Sequence, residues 1–417
     1  YRKGPYRADL GDFAVAGASF LNTIDQVERS FVSSELGQNG WKRLAAGHSL
    51  QAADGTLTFL GEHKRYAGPW SNSENLNHIS LWSKYRTLTA FGEASITASF
   101  YDATWNPTEQ VPERALGTAI CPNAYCSLDT TADGHTRRWI VNAQLGGSDW
   151  DASVYVQFYD WDMKSNPTYD YQLGQFDKRW TFGGSANRSV YSGDVLDVRI
   201  GADMRYDDVS RLGVSQYEQG IFVAPISDNA LKEGSAGLFV EGNWSLTESL
   251  RLMTGLRGDF YTFDVTAFNA NSYGGSKSEQ RYSPKLGLAW LANDAVELYA
   301  NWGRGFHSND ARGVVNTLDP IPGLSPGTGY ELGARTAVGD FKFTAAYWWL
   351  DQASELIFVG DSNAVEPKGG SKRKGLELTM FWQPLNWLGI DAVYTSSDAR
   401  FIDNPDGEYI EDALESA

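Results

Sequence analysis

The chain has 417 residues, a formal net charge of −17 and 42% hydrophobic residues, with a mean hydropathy of −0.39. The acidic balance argues against a nucleic-acid partner, since phosphate binding needs a basic face. No run of about 18 apolar residues occurs, which excludes a transmembrane helix but leaves a transmembrane β-barrel open, where only alternate residues meet lipid.

Residues 1–24 carry no strand period, and Tyr1-Arg2-Lys3-Gly4-Pro5 has no apolar core, so no signal peptide opens the chain and it reads as mature or truncated. From about Thr23 onward, about 17 strand-like runs follow one another. They lie near 27–37, 41–53, 56–66, 76–88, 92–105, 132–146, 150–162, 172–189, 194–207, 233–246, 249–266, 279–292, 295–306, 328–338, 340–351, 370–383 and 387–401. Leu238, Val240, Trp244 and Leu246 alternate with Glu241, Asn243 and Ser245; Leu252 and Leu256 alternate with Arg251, Arg257 and Asp259. The same split sets Val198 and Ile200 against Arg199 and Asp203, and Leu376 and Leu378 against Glu377.

The connections sort by length. Tight turns at Ala53-Asp54-Gly55, Gly146-Gly147-Ser148, Thr247-Glu248, Ala292-Asn293-Asp294, Val338-Gly339-Asp340 and Pro384-Leu385-Asn386 alternate with long polar loops. Those loops fall near 66–75, 106–131, 163–171, 207–232, 267–279, 307–328 and 352–369. One end short and the other long is the habit of an antiparallel up-and-down barrel in an outer membrane, with turns on the periplasmic side and loops outside. The 15 Trp and 21 Tyr suit its aromatic girdles. An odd strand count, and a polar tail from Asn404 to Ala417, predict a chain that stops in an outer loop, its sheet failing to close.

Cys121 and Cys126 stand five apart in an outer loop, a spacing that reads as a local disulfide rather than a metal site, with no His beside them. No nucleophile, zinc or phosphate-loop motif occurs, so neither an enzyme nor a cofactor is expected. Asp403-Asn404-Pro405-Asp406-Gly407-Glu408 reads as a turn rather than a calcium loop. Trp70, Trp105, Tyr125, Tyr169, Tyr171 and His307 lie where a solute would enter. Aromatic faces there suit aryl groups or sugars; alternatively, Trp105 and Tyr169 are girdle residues and His307 a solvated loop residue. The inward charges Arg199, Asp203, Glu241, Arg251, Arg257, Asp259, Glu297 and Glu377 either bond a filling domain and lumen water or line a solute path.

Residues 1–24 name a family. Lys3-Gly4-Pro5, then Gly11-Asp12-Phe13, then the Ala-Gly-rich step Ala14, Ala16, Gly17, Ala18 resemble the end of the plug domain of TonB-dependent outer-membrane receptors. The closing Ser19-Phe20-Leu21-Asn22-Thr23 departs from the family's usual Val-Asn or Ile-Asn step. Tyr282-Ser283-Pro284-Lys285-Leu286-Gly287, Tyr299 to Phe306, Tyr330-Glu331-Leu332-Gly333 and Lys374 to Leu378 are similar to stretches of the family's barrel. The resemblance implies residues 1–24 as the plug's C-terminal tail and 25–417 as a barrel of the 22-stranded type, truncated before closure and lacking about five strands. It implies import of a scarce solute, most often a ferric siderophore, with carbohydrate, cobalamin or another large nutrient as the alternative and a passive porin-like channel as a more distant one. The implied partners are TonB (through a TonB box upstream), outer-membrane lipid and lipopolysaccharide, and an extracellular small-molecule ligand.

Overall fold

The computed structural model describes residues 1–359 and 364–402. The polar tail and the turn at Asp403–Glu408 lie outside the described residues. Two short strands, β1 (Arg2–Lys3) and β2 (Gly17–Ala18), pair with each other at the N-terminus. The wall follows as β3 (Phe31–Leu36), β4 (Lys42–Ala52), β5 (Gly55–Tyr66), β6 (Leu76–Thr89), β7 (Gly92–Trp105), β8 (Asp133–Gly146) and β9 (Trp150–Ser165). It continues with β10 (Gln172–Ser192), β11 (Leu196–Glu218), β12 (Ile221–Ser245), β13 (Leu250–Ala267), β14 (Gly275–Asn293), β15 (Val296–Ser308), β16 (Leu324–Val338) and β17 (Phe341–Gln352). A separate loop hairpin, β18 (Glu355–Val359) with β19 (Ala364–Lys368), precedes the last wall strands β20 (Ser371–Leu385) and β21 (Leu388–Phe401). Among the described residues no helix is long and apolar enough to cross a membrane.

The 17 wall strands form one sheet in sequence order, every expected run among them, and each pairs antiparallel with its chain neighbour. The order is circular and the sheet is a closed barrel, which corrects the expectation of an open edge. Twisted sheets of as few as eight strands can close, so seventeen need no further strands to bring β21 beside β3. An odd number leaves those two pointing the same way. Among the described residues no antiparallel register crosses that seam.

The two faces fall as the alternation predicts. Leu238 and Leu256, 68% and 48% exposed, lie on the outside with Val240 and Ile200, while Glu241 and Arg257 are buried. Near the tight turns Trp244, Trp290, Trp382 and Trp387 are exposed, a lower aromatic girdle. The segment expected as a loop at 207–232 is instead a β-ribbon: β11 and β12 run 23 and 25 residues and meet at Gln219-Gly220. Both turn residues have positive φ, 50° and 80°, the conformation that suits a two-residue hairpin turn.

Candidate functional site: a segment seated in the lumen and the loops above it

Residues 1–18 are held inside the barrel by a socket of glycines and charges. On β15 and β16, Gly303 pairs with Gly329 and Gly305 with Gly327 across the ladder, four inward positions without side chains. Pro5 and Val15 fill the space. A methyl group at Gly303 would sit 2.1 Å from the Pro5 carbonyl oxygen, and one at Gly327 2.4 Å from Val15. Only glycine admits so close a backbone. Gly11 is pressed likewise on the Arg257 guanidinium, where a methyl group would lie 2.6 Å from Nη2.

Polar bonds complete the seat. Glu241, 1% exposed, accepts from the Ala8 backbone N–H at 3.1 Å and pairs with Arg7 at 2.5 Å. Asp9 bridges Arg2 and Arg199, at 2.5 and 2.6 Å. Burial pushes the Asp9 carboxyl up, but the two guanidiniums outweigh it and hold it below the usual carboxylate range. Asp12 accepts from the Ser308 N–H at 2.7 Å and its hydroxyl at 2.6 Å, and the Phe13 N–H donates to the Phe306 carbonyl at 3.1 Å. Lys3 pairs with Glu377. The Gly4 N–H donates to Ala16 O at 3.0 Å, closing the segment on itself. Arg257, 2% exposed, pairs with Asp203 and Asp259, both at 2.7 Å. Toward the tight-turn end a cavity of about 410 Å³ is lined by Lys3, Tyr6, Arg7, Glu331 and Glu377 among others.

Of the expected inward charges, Arg199, Asp203, Glu241, Arg257, Asp259 and Glu377 thus form this belt. Arg251, Glu297 and Arg335 form a separate ion cluster nearer the tight turns. All six motif residues, Lys3, Gly4, Pro5, Gly11, Asp12 and Phe13, take part in the seat or border it.

The aromatic candidates do not converge. Trp70 packs edge-on against Tyr66, which does the same against Trp41. Trp105 covers Gly134 and shares the inward face of Ala103, so it is not a girdle residue; the outward aromatics of that region are Trp139, Phe158 and Trp180. Tyr125 and Tyr171 are exposed, and the Tyr169 hydroxyl donates to the Gln110 carbonyl. His307 is buried rather than solvated: its Nε2 lies 3.0 Å from the Ser354 carbonyl and its ring 5.7 Å from that of Phe13.

Cys121 and Cys126 form a disulfide with Cα atoms 5.3 Å apart. Their loop is stitched to its neighbours. Ser71 N–H donates to the Tyr125 carbonyl at 2.8 Å, and Asn166 donates from its backbone to Glu109 and from its side chain to Asp129, both at 2.7 Å. Gln172 joins Asp129 at 2.9 Å to the Gly220 N–H at 2.7 Å. Burial raises the Glu109 carboxyl. Asp129, also pushed up by burial, is held low by bonds from Asn166, Thr131 and Gln172.

The family described as TonB dependent receptor-like, beta-barrel matches residues 40–413. The chain belongs to this family. It is therefore an integral β-barrel protein of the outer membrane. A comparison with curated proteins found none that matches. Among solved structures, the ferric yersiniabactin uptake receptor FyuA of Yersinia pestis is similar with a TM-score of 0.73 and 14% identity, over 96% of this chain and 66% of that one. The alcaligin outer-membrane receptor FauA of Bordetella pertussis gives 0.65 and 15%, over 98% and 67%. The copper transporter OprC gives 0.72 and 17%, also over 98% and 67%. The chain spans about two thirds of the length of each.

Sequence reasoning missed two parts of this receptor's lumen. The paired glycines were legible as Gly303-x-Gly305 and Gly327-x-Gly329, a bare face at strand period. The other part is a dry cluster of Val209, Phe263, Val265, Phe306, Val314 and Leu324, roofed by the short helix α1 (Ala311–Val314). No local pattern announces it.

Proposed function

We infer that this chain is the plug-tail and barrel part of a TonB-dependent importer for a ferric siderophore. Residues 1–24 are then the end of a plug, and TonB acts on plug sequence upstream of Tyr1. The observation that carries the reading is the seated segment: a lumen occupied from within by Pro5, Asp9, Asp12 and Val15 suits a gated importer and not a passive pore. The cargo rests on similar structures described as a ferric yersiniabactin uptake receptor, a ferric-catecholate import receptor and a siderophore receptor, and on the exposed Tyr125 and Tyr171 at the mouth. The test uses the complete receptor in iron-starved cells stripped of their own siderophore receptors. Radioactive iron uptake is measured from hydroxamate, catecholate and citrate complexes, with and without TonB. TonB-dependent uptake of one such complex is expected. Uptake that persists without TonB, or transport of sugars or cobalamin with no ferric complex carried, overturns the reading.

A further inference from the structure

Three inward rows cross strands β7–β10 without a charge and meet one on reaching β11. Ser99, Ile140, Gln157 and Thr181 stand opposite one another in turn, and the next position is Asp207. Nearer the tight turns, Thr97, Asn142, Tyr155 and Gly183 lead to Arg205. Below them Ser95, Gln144, Ser153 and Ser185 lead to Asp203. From β11 onward the wall is the charged one that grips residues 1–18, through Arg199, Glu241 and Glu377. The chain then crosses to β4–β6, where the Val27 N–H donates to Ser49 at 2.9 Å and Lys84 pairs with Asp25 at 2.6 Å. Among the described residues no hydrogen bond or ion pair joins residues 1–30 to β7–β10.

The lumen wall is thus of two kinds. Charge-assisted hydrogen bonds are about twice as strong as neutral ones, so the charged sector is built to hold what it touches. Hydroxyl and carboxamide groups both donate and accept. They can hand a polar solute from row to row, with no fixed charge to trap it. The neutral sector is continuous from end to end. At its head, toward the loops, the next row is Tyr101, Arg138 and Tyr159. At its foot lies a cavity of about 570 Å³ whose lining includes Ser95, Gln144, Ser153 and Asn187 and no residue of the seated segment. The smaller cavity of about 410 Å³ is instead lined by Lys3, Tyr6 and Arg7 of that segment, and the Lys3–Glu377 pair stands across it.

We propose that the inner face of β7–β10 is the lane down which the imported solute passes, suited to a polar chelate rich in hydroxyl and carbonyl oxygens, while residues 1–18 stay clamped to the charged wall. The proposal rests on the importer reading and names the sector of the lumen that opens. The described residues hold no free cysteine, so a cysteine introduced into the complete receptor is read against the unsubstituted protein. Asn142→Cys and Ser153→Cys report on the lane; Thr344→Cys and Thr379→Cys report on the wall of the smaller cavity. Cells with and without TonB, given hydroxamate, catecholate and citrate complexes of iron, are treated with a charged, water-soluble thiol reagent. The lane cysteines should react several-fold faster when TonB is present, and the other two at the same rate in both. After labelling, uptake should be lost in the lane variants and kept in the other pair. An equal effect of TonB on all four sites, or a larger one at Thr344→Cys and Thr379→Cys, overturns the proposal. So does full uptake through a receptor labelled in the lane. The labelling rates are read whichever complex is carried, so they fail separately from the importer reading, which falls if uptake by the unsubstituted receptor ignores TonB.

Discussion

Arg257 and Phe263 lie on one face of one strand, six residues apart, and both are almost wholly buried. Around Arg257 the lumen is wired with charge: Asp203 and Asp259 pair with its guanidinium, while Arg199 and Glu241 hold Asp9 and Arg7 of the N-terminal segment. Around Phe263 it is dry, with Phe306, Val314 and Leu324 packed beneath the loop helix. The difference shows that "inward" is not one environment. At membrane depth the inner face bonds a separate segment whose backbone needs polar partners. Higher up, the chain folds a loop back into the mouth and buries apolar side chains against it.

The first way to break this comparison is to remove one member from each region. Arg257→Ser leaves Asp203 and Asp259 without their counter-charge, and stranding a buried ion costs about 3–5 kcal/mol. Phe263→Ala empties an aromatic site in a packed cluster, at about 3–5 kcal/mol. Denaturant unfolding of the complete receptor from lipid vesicles measures both. The two should separate by location: only Arg257→Ser should expose residues 1–18 to protease. If Phe263→Ala frees that segment equally, the two halves are one cooperative unit. The two carboxylates paired with Arg257 make the loss of this lumen charge the costlier change. Leu256→Arg, on the lipid face of the same strand, should cost about 2–4 kcal/mol near mid-membrane and leave the seated segment protected.

What the sequence announced follows from where the period-two rule has physical force. Leu238 against Glu241 and Leu256 against Arg257 are legible because one face meets lipid and the other a polar interior. Above the membrane the rule lapses. Asp207, Asp208, Ser210, Arg211, Gln216 and Glu218 put polar groups on both faces of β11, so a ribbon resembled a loop. His307 reads from sequence as a solute contact or a solvated loop residue, whereas its burial against Phe13 and Ser354 is set by residues far along the chain. Closure of the ring is likewise a property of total twist and curvature, which no single strand encodes.

The glycine socket sharpens the comparison further, since it acts on the segment without touching the charges. Gly303→Ala places a methyl group 2.1 Å from the Pro5 carbonyl, a backbone atom that no rotamer change can move. The barrel should fold normally, by its heat-dependent gel mobility, while residues 1–18 lose protease protection and the outer membrane admits large antibiotics. Gly389→Ala, with open space around it, is the matched control and should change neither. Loss of barrel folding in Gly303→Ala would mean that the socket shapes the wall itself.

The smallest effect is the most discriminating, because it isolates one carboxylate. Asp9 titrates below the ordinary carboxylate value although burial opposes it, because Arg2 and Arg199 favour its charged form. A depressed folded-state value means that ionised Asp9 stabilises the seat above the unfolded value, about 3.9. That contribution fades as pH falls through the lower folded value. Asp9→Asn should therefore lower the Tm of the complete receptor at pH 7. The gap between variant and wild type should narrow steadily once the pH drops below about 4. Salt should narrow it only weakly, because the carboxylate is mostly shielded from water, with 17% of its side chain exposed. A gap that stays constant down to acid pH would show that Asp9 acts through shape and hydrogen bonding alone, and the charged half of the lumen would then owe its hold on the segment to Glu241 and Asp12.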